Sequence, residues 1–273
     1  MGTLYLVATP IGNLEDISAR ALRILRTAPL IAAEDTRQSA KLLRHYDIHT
    51  PLSSYHEHSK PGVQARLLAA LEAGDVALIS DAGTPLLNDP GLALVRAALE
   101  AGHAVTPIPG PSAPLAALTA SGLPAEAFLY LGYLPRKSGE RRRLLEEVGG
   151  LPYTLVFLET PHRLLESLQD LLDGLGDRPA AAARELTKLH EEILRGTLSE
   201  ALAHFQGTPP RGEFTLVIAG KPAETAVWSE DKLRAALQER LARGSSAAQI
   251  AAALAVESGW PRRTIYQMLA GME

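Results

Sequence analysis

The sequence predicts an α/β protein: two α/β domains followed by a small helical, helix-turn-helix-like extension. Three observations carry that reading. Compact apolar runs without polar alternation recur as far as residue 219, as strands buried on both faces of a sheet do. Segments with helical spacing of apolar residues separate them, the alternation expected of a mostly parallel sheet. From Ser229 onward the strand signals stop, and three short helical segments follow.

In chain order, residues 4–8 form an apolar strand. Residues 17–25 follow with helical periodicity, Asp16 as candidate N-cap and Pro29 as the stop. Residues 30–33 read as a strand and 39–46 as a helix. The same signals give a helix over 64–72, a strand over 76–79, a helix over 92–100 closed by Gly102, a strand over 105–108 and a helix over 113–120. Gly122-Leu123-Pro124 then interrupts the alternation and predicts a domain boundary. The second set runs through a strand at 128–131, a helix ending at 144–148, a strand at 154–158, a helix at 164–172 and strands at 180–183 and 214–219, with a more mixed strand order expected. Helices at 232–241, 247–256 and 262–269, with the turns Arg243-Gly244-Ser245 and Ser258-Gly259-Trp260-Pro261, make the extension: a helix-turn-helix unit or a helical cap on the second domain. The expected domains are therefore 1–121, 122–224 and 225–273.

Six of the strands end in clusters of small, polar or turn-forming residues. These are Thr9-Pro10-Ile11-Gly12-Asn13, Glu34-Asp35-Thr36-Arg37, Ser80-Asp81-Ala82-Gly83-Thr84-Pro85, Pro109-Gly110-Pro111-Ser112, Glu159-Thr160-Pro161-His162-Arg163 and Arg184-Glu185-Leu186-Thr187-Lys188. Ligands in open α/β sheets bind outside the carboxyl ends of the strands, so this placement predicts a cleft built from loops and backbone.

Composition narrows the chemistry. The 273-residue chain has no cysteine, which excludes disulfides, thiolate metal sites and a cysteine nucleophile. No long uncharged apolar stretch and no signal-peptide pattern is present, so no membrane partner and a cytoplasmic location are expected. The net charge of −4 argues against a general nucleic-acid coat. Locally, Arg136-Lys137-Ser138-Gly139-Glu140-Arg141-Arg142-Arg143 carries five cations and one anion, and Arg262-Arg263 adds a smaller patch. A solvated helix face and an RNA contact are both open for such runs.

The loops themselves are selective. The single glycine and Pro10 of the first cluster disfavour a dinucleotide fingerprint, and no Gly-Lys-Ser/Thr follows a strand. In the third cluster, small residues at 81–85 admit a ligand to the backbone and Asp81 can accept hydrogen bonds from it, while Asn88 or Asp89 reads as the cap of the next helix. Ser112 either caps its helix or turns its hydroxyl to a ligand. Glu34, Asp35 and Arg37 read as a helix start with a local ion pair or as a substrate-orienting group. His56, His58, His162 and His190 lack metal-site spacing, so no metal is expected, and they read as surface or substrate-facing.

Together these loops resemble the tetrapyrrole methylase superfamily of S-adenosylmethionine-dependent methyltransferases. Within it, the resemblance is to the branch that methylates a cytidine ribose 2′-hydroxyl in 16S rRNA. The matching stretches also include Gly132-Tyr133-Leu134-Pro135-Arg136-Lys137 and Gly212-Glu213. The resemblance implies a homodimer with S-adenosylmethionine in the cleft between its two α/β domains and 16S rRNA of the small ribosomal subunit as partner. By position, cofactor contacts fall on Ile11, Asp81, Gly83, Thr84, Ser112 and Ala113, joined from the second domain by Leu158 and Ala183. Pro222 and Ala223 align less securely. Glu34, Asp35, Arg37 and Lys188 are expected on the substrate side, with Asp35 or Glu34 taking the proton. Arg136, Lys137, Arg141, Arg142 and Arg143 become expected RNA contacts. The competing readings are a superfamily methyltransferase for a small tetrapyrrole or a protein side chain, and a non-catalytic RNA-binding ribosome-assembly factor.

Overall fold

The computed structural model describes residues 1–56, 61–222, 228–243 and 246–271. His58, Ala223 and the Gly244-Ser245 turn lie outside the described residues. Residues 1–221 form one compact unit and 222–273 a second.

The first unit holds two five-stranded sheets. In the first, β1 (Thr3–Val7), β2 (Leu30–Ala33), β3 (Leu52–Ser54), β4 (Val76–Ile79) and β5 (Ala104–Ile108) stand in the order β3-β2-β4-β1-β5. All its pairings are parallel, so every strand delivers its carboxyl end to one edge. The pure apolar strands are explained by helices on both faces. On one face Ile31, Ala33, Ala77 and Ile79 pack with residues of α1 (Ala19–Thr27) and α2 (Thr36–His45). On the other, Ala32, Val76 and Leu78 pack with residues of α3 (Pro61–Ala73) and α4 (Leu92–Glu100).

The second sheet is mixed, as expected. Its strands are β6 (Phe128–Tyr133), β7 (Thr154–Glu159), β8 (Pro179–Arg184), β9 (Glu192–Thr197) and β10 (Phe214–Ile218), ordered β6-β7-β10-β8-β9. Only β6 and β7 run parallel; the other neighbours are antiparallel. One face is covered by α6 (Ser138–Val148), α7 (Leu164–Leu175) and α8 (Leu198–Gly207). The other face takes α5 (Ala113–Ser121), whose Ala117 and Leu118 are buried against Val156, Ala181 and Val217. The boundary expected after residue 121 thus follows a helix that the first sheet leads into and the second sheet buries.

Three local expectations change. The first helix is capped by Ser18, whose side chain accepts from the Ala21 amide, while Asp16 sits in a 3-10 turn (Leu14–Asp16) that Asn13 caps. Neither Asn88 nor Asp89 caps α4, where Gly91 takes the N-cap position at φ 144° without a side-chain hydrogen bond. β3, β9 and α8 carry no strand or helix in the sequence reading. The two strands are sheet edges of mixed polarity, where the apolar signal is weakest. For α8 a signal existed: Thr197 and Glu200 form a capping box.

The second unit has its own core. In it α9 (Glu230–Ala242), α10 (Ala247–Ser258) and α11 (Arg262–Ala270) bury Leu233, Leu237, Ile250, Leu254, Ile265 and Leu269 together. Ser229 and Ser246 cap the first two helices. Gly259 turns the chain into α11 at φ +70°.

Candidate functional site

The carboxyl ends of β1, β4 and β5 are joined into one wall by their loops. Thr9 and Gly83 exchange both backbone hydrogen bonds, at 2.9 and 3.0 Å. The Thr84 hydroxyl donates to the Pro111 carbonyl at 3.1 Å. Gly83 has φ +80°, and a Cβ there would lie 3.3 Å from Ile11 Cγ2, so a side chain would bring both strain and crowding. Behind this wall Ser112 begins α5 without capping it, and its buried hydroxyl has no hydrogen-bond partner among the described residues. The sequence alternatives for Ser112 therefore divide in favour of a hydroxyl left for something else.

This wall faces the strand ends of the second sheet across a cleft of about 270 Å³. Ile11, Asp81, Gly83 and Thr84 line it from the first loops, and Ser112 and Ala113 from the start of α5. Leu158 and Ala183 line it from β7 and β8. Of the four expected substrate-side residues, Glu34 and Lys188 line the cleft and Asp35 and Arg37 do not.

The reason lies in a local ion pair. Asp35 is the N-cap of α2: its carboxylate accepts from the Arg37 amide at 2.8 Å and binds the Arg37 guanidinium at 3.1 and 2.8 Å. Those hydrogen bonds hold the Asp35 carboxyl down at about 2. Glu34 is the opposite case. Burial raises its carboxyl, and the nearby Asp89 and Asp81 push it the same way. Asp81 also spends one oxygen on the fold, accepting the Asp35 amide at 3.0 Å.

The cleft contains residues to which the sequence reading gave no role there. Tyr130 lines it and donates its hydroxyl to Asn88 at 2.5 Å, linking the two halves of the unit. Gly132, at φ +65°, leaves the room for that link, since a Cβ there would lie 2.4 Å from the Asn88 amide nitrogen. Burial pushes the Tyr130 hydroxyl up to about 12. Asp89 also lines the cleft, and burial raises its carboxyl. Its place four residues after the third strand-end cluster is the signal that points to it. Glu213 lines the rim, where its carboxylate receives Lys188 at 2.9 Å.

Lys188 is held on both sides, since it also donates to Glu185 at 2.8 Å. Burial draws its ammonium down, but the hydrogen bonds to Glu185 and Glu213 outweigh that and raise it. The loop carrying it needs left-handed backbone at Glu185 (φ 49°) and Thr187 (φ 65°). Thr187 Oγ1 accepts the Asn13 amide at 3.0 Å, so this loop is tied to the first.

The expected RNA contacts separate. Arg136, Lys137, Arg142 and Arg143 are exposed. Arg141 is not: it is 2% exposed, and its guanidinium is bound by Asp170, which excludes it as a surface contact. Lys137 pairs with Glu140 and Arg142 with Asp170. Among the described residues no group of three or more His, Asp or Glu side chains is placed to hold a metal ion, and no helix is long and apolar enough to cross a membrane.

Comparison with known proteins places this geometry. A family model described as Tetrapyrrole (Corrin/Porphyrin) Methylases matches residues 3–202. A Synechocystis protein named Ribosomal RNA small subunit methyltransferase I is 49% identical, covering 100% of this chain and 99% of that protein. Proteins of the same name from Bacillus subtilis and Pseudomonas aeruginosa are 41% and 51% identical, over 97% and 80% of this chain and 93% and 79% of theirs. Among solved structures, uroporphyrin-III C-methyltransferase from Thermus thermophilus complexed with S-adenosyl homocysteine aligns with a TM-score of 0.56 and 22% identity, covering 81% of this chain and 98% of that one. A diphthine synthase aligns at 0.60 and 14%, covering 81% and 90%. The two-sheet fold, its strand-end cleft and these relatives together establish that the chain belongs to the tetrapyrrole (corrin/porphyrin) methylase family.

Proposed function

We propose that the protein is an S-adenosylmethionine-dependent methyltransferase acting on the 2′-hydroxyl of a cytidine ribose in the 16S rRNA of the small ribosomal subunit. The names of the relatives at 41–51% identity support a small-subunit rRNA substrate. One observation carries the site assignment. A single cleft joins a wall of small residues and a buried, unpartnered Ser112 hydroxyl to a half-buried glutamate whose carboxyl is raised.

The residues fit the cofactor. Ile11, Asp81, Gly83, Thr84, Ser112 and Ala113 would hold it from one side, and Leu158 and Ala183 from the other. Bound there, the cofactor supplies an activated sulfonium methyl. The protein's task is then to align the acceptor oxygen and remove its proton. Glu34 is the proposed acceptor of that proton, because its raised carboxyl matches a base better than Asp35 held at about 2. Lys188, a cation kept in place by two glutamates, lines the substrate side. Asp35 and Arg37 fix the start of α2 immediately after Glu34.

The test is transfer of labelled methyl to unmodified small subunits, free 16S rRNA and large subunits, followed by digestion to nucleosides and mass spectrometry. 2′-O-methylcytidine from small-subunit RNA is expected. Label on a base, on protein or nowhere would overturn the reading. The proposal includes a homodimer acting in the cytoplasm; sedimentation equilibrium tests the first part and cell fractionation the second.

A further inference from the structure

Next to the cleft lies a second concavity. It is lined by residues 133–136, from the end of β6 and the loop after it, and by Thr160, His162 and Arg163 beyond β7. Tyr133 belongs to both spaces and is 48% exposed.

The floor of this bowl is unusually fixed. Three successive carbonyls of its loop each receive a guanidinium. Arg163 Nη1 donates to the Leu134 oxygen at 3.1 Å. Arg141 Nη1 donates to those of Pro135 and Arg136 at 3.2 and 2.9 Å. Both arginines are anchored from below. Asp170, 6% exposed, holds Arg141 at 2.7 Å, and fully buried Glu159 holds Arg163 at 2.5 Å. The loop's acceptors and the two anchoring charges are thus internally satisfied. At the rim, the exposed Arg136 and His162 have no acidic partner among the described residues.

The cleft beside it is predominantly acidic, with Glu34, Asp81, Asp89, Glu159 and Glu213 on its walls against the cation of Lys188, which two glutamates already hold. A polyanion bringing one ribose to those carboxylates needs cationic purchase close by.

We infer that the bowl framed by Arg136 and His162 is a phosphate seat for the RNA strand, holding a backbone phosphate that flanks the target nucleotide, with Tyr133 as a stacking surface between seat and cleft. This rests on the rRNA reading above. It gives buried Arg141 a positioning role, since that residue fixes the loop from which Arg136 projects.

The experiment uses the full chain and two readouts. Methylation of small subunits gives KM and kcat. Anisotropy of a labelled single-stranded oligoribonucleotide, titrated with salt, gives binding without needing transfer. For R136Q combined with H162Q, KM rises roughly tenfold, kcat stays within about twofold, and the log–log salt slope of binding flattens by about 0.7, for the one phosphate that the Arg136 charge neutralises. R136K alone, which keeps the charge, keeps the wild-type salt slope. Unchanged KM and slope would overturn the seat. So would a fall in kcat alone, or an absence of S-adenosylmethionine binding, which would make the pair merely structural. If wild type binds the oligoribonucleotide and the variant shows the flattened slope, but wild type transfers no methyl, the functional reading fails and the seat stands.

Discussion

The two halves of the cleft are built by different means. The first sheet contributes irregular backbone. Its strand-end loops hydrogen-bond to one another, and Gly83, Leu86, Asn88 and Gly91 all take positive φ between β4 and α4. The second sheet contributes residues still within or beside strands, Leu158 of β7, Ala183 of β8 and Thr215 of β10, with charge added by the ion-paired loop around Lys188. A wall made of backbone suits a ligand recognised closely and in one pose. A wall of strand residues and ion pairs supplies rigidity and charge. On the proposed function, chemistry falls chiefly to the first half and positioning to the second, and substitutions can test that division.

The largest effect is expected at Glu34. Glu34→Gln should lower kcat by about 10²–10⁴-fold, with cofactor affinity by calorimetry unchanged, whereas Asp35→Asn should cost less than about tenfold. The pH profile sharpens the contrast. The Glu34 carboxyl is raised above its ordinary value of 4.5, so a rate needing its ionised form falls as pH drops through a midpoint above 4.5. A midpoint at or below that value, or a larger loss at Asp35, would break the assignment.

In the second half the largest change should be in stability. Asp170→Asn removes the buried carboxylate at 2.7 Å from Arg141 and leaves that guanidinium only the more exposed Glu166 at 3.7 Å, and should cost about 3 kcal/mol in denaturant unfolding. A loss below about 1 kcal/mol would mean that Glu166 alone compensates the Arg141 charge. Gly83→Ala comes next: left-handed backbone costs an L-residue about 1–2 kcal/mol of folding stability, and the crowding against Ile11 should in addition weaken cofactor binding roughly tenfold. Ser112→Ala is the smallest. Loss of one hydrogen bond to ligand, about 1 kcal/mol, predicts roughly fivefold weaker cofactor binding. Because that hydroxyl has no partner among the described residues, folding stability should not fall.

The sequence was most readable where local signals sufficed. The β4 and α4 bounds and the β2 bounds coincide with the apolar runs that predict them, and the six strand-end clusters fall at strand ends because small residues there serve backbone geometry. Less readable was whatever depends on a distant partner. Arg141 sits in a cationic run and looks solvated, but its fate is decided by Asp170 on another helix. The choice between Glu34 and Asp35 turns on where Arg37 points, which composition does not encode. Tyr130 enters the site through Asn88, 42 residues earlier. Edge strands β3 and β9 bury too little to leave an apolar signature.

Burial of Arg141 also alters what an approaching molecule senses at a distance. Within 136–147, four exposed cations remain beside Glu140, Glu146 and Glu147. Arg141 and Asp170 sit as a close dipole beneath the surface and add little to the far field. By its letters the stretch 136–147 carries five cations against three anions, and with Arg141 buried its exposed balance falls from +2 to +1. Diffusional capture of a polyanion gains little from α6 as a whole, and discrimination at this surface falls to individually placed charges acting over a few ångströms.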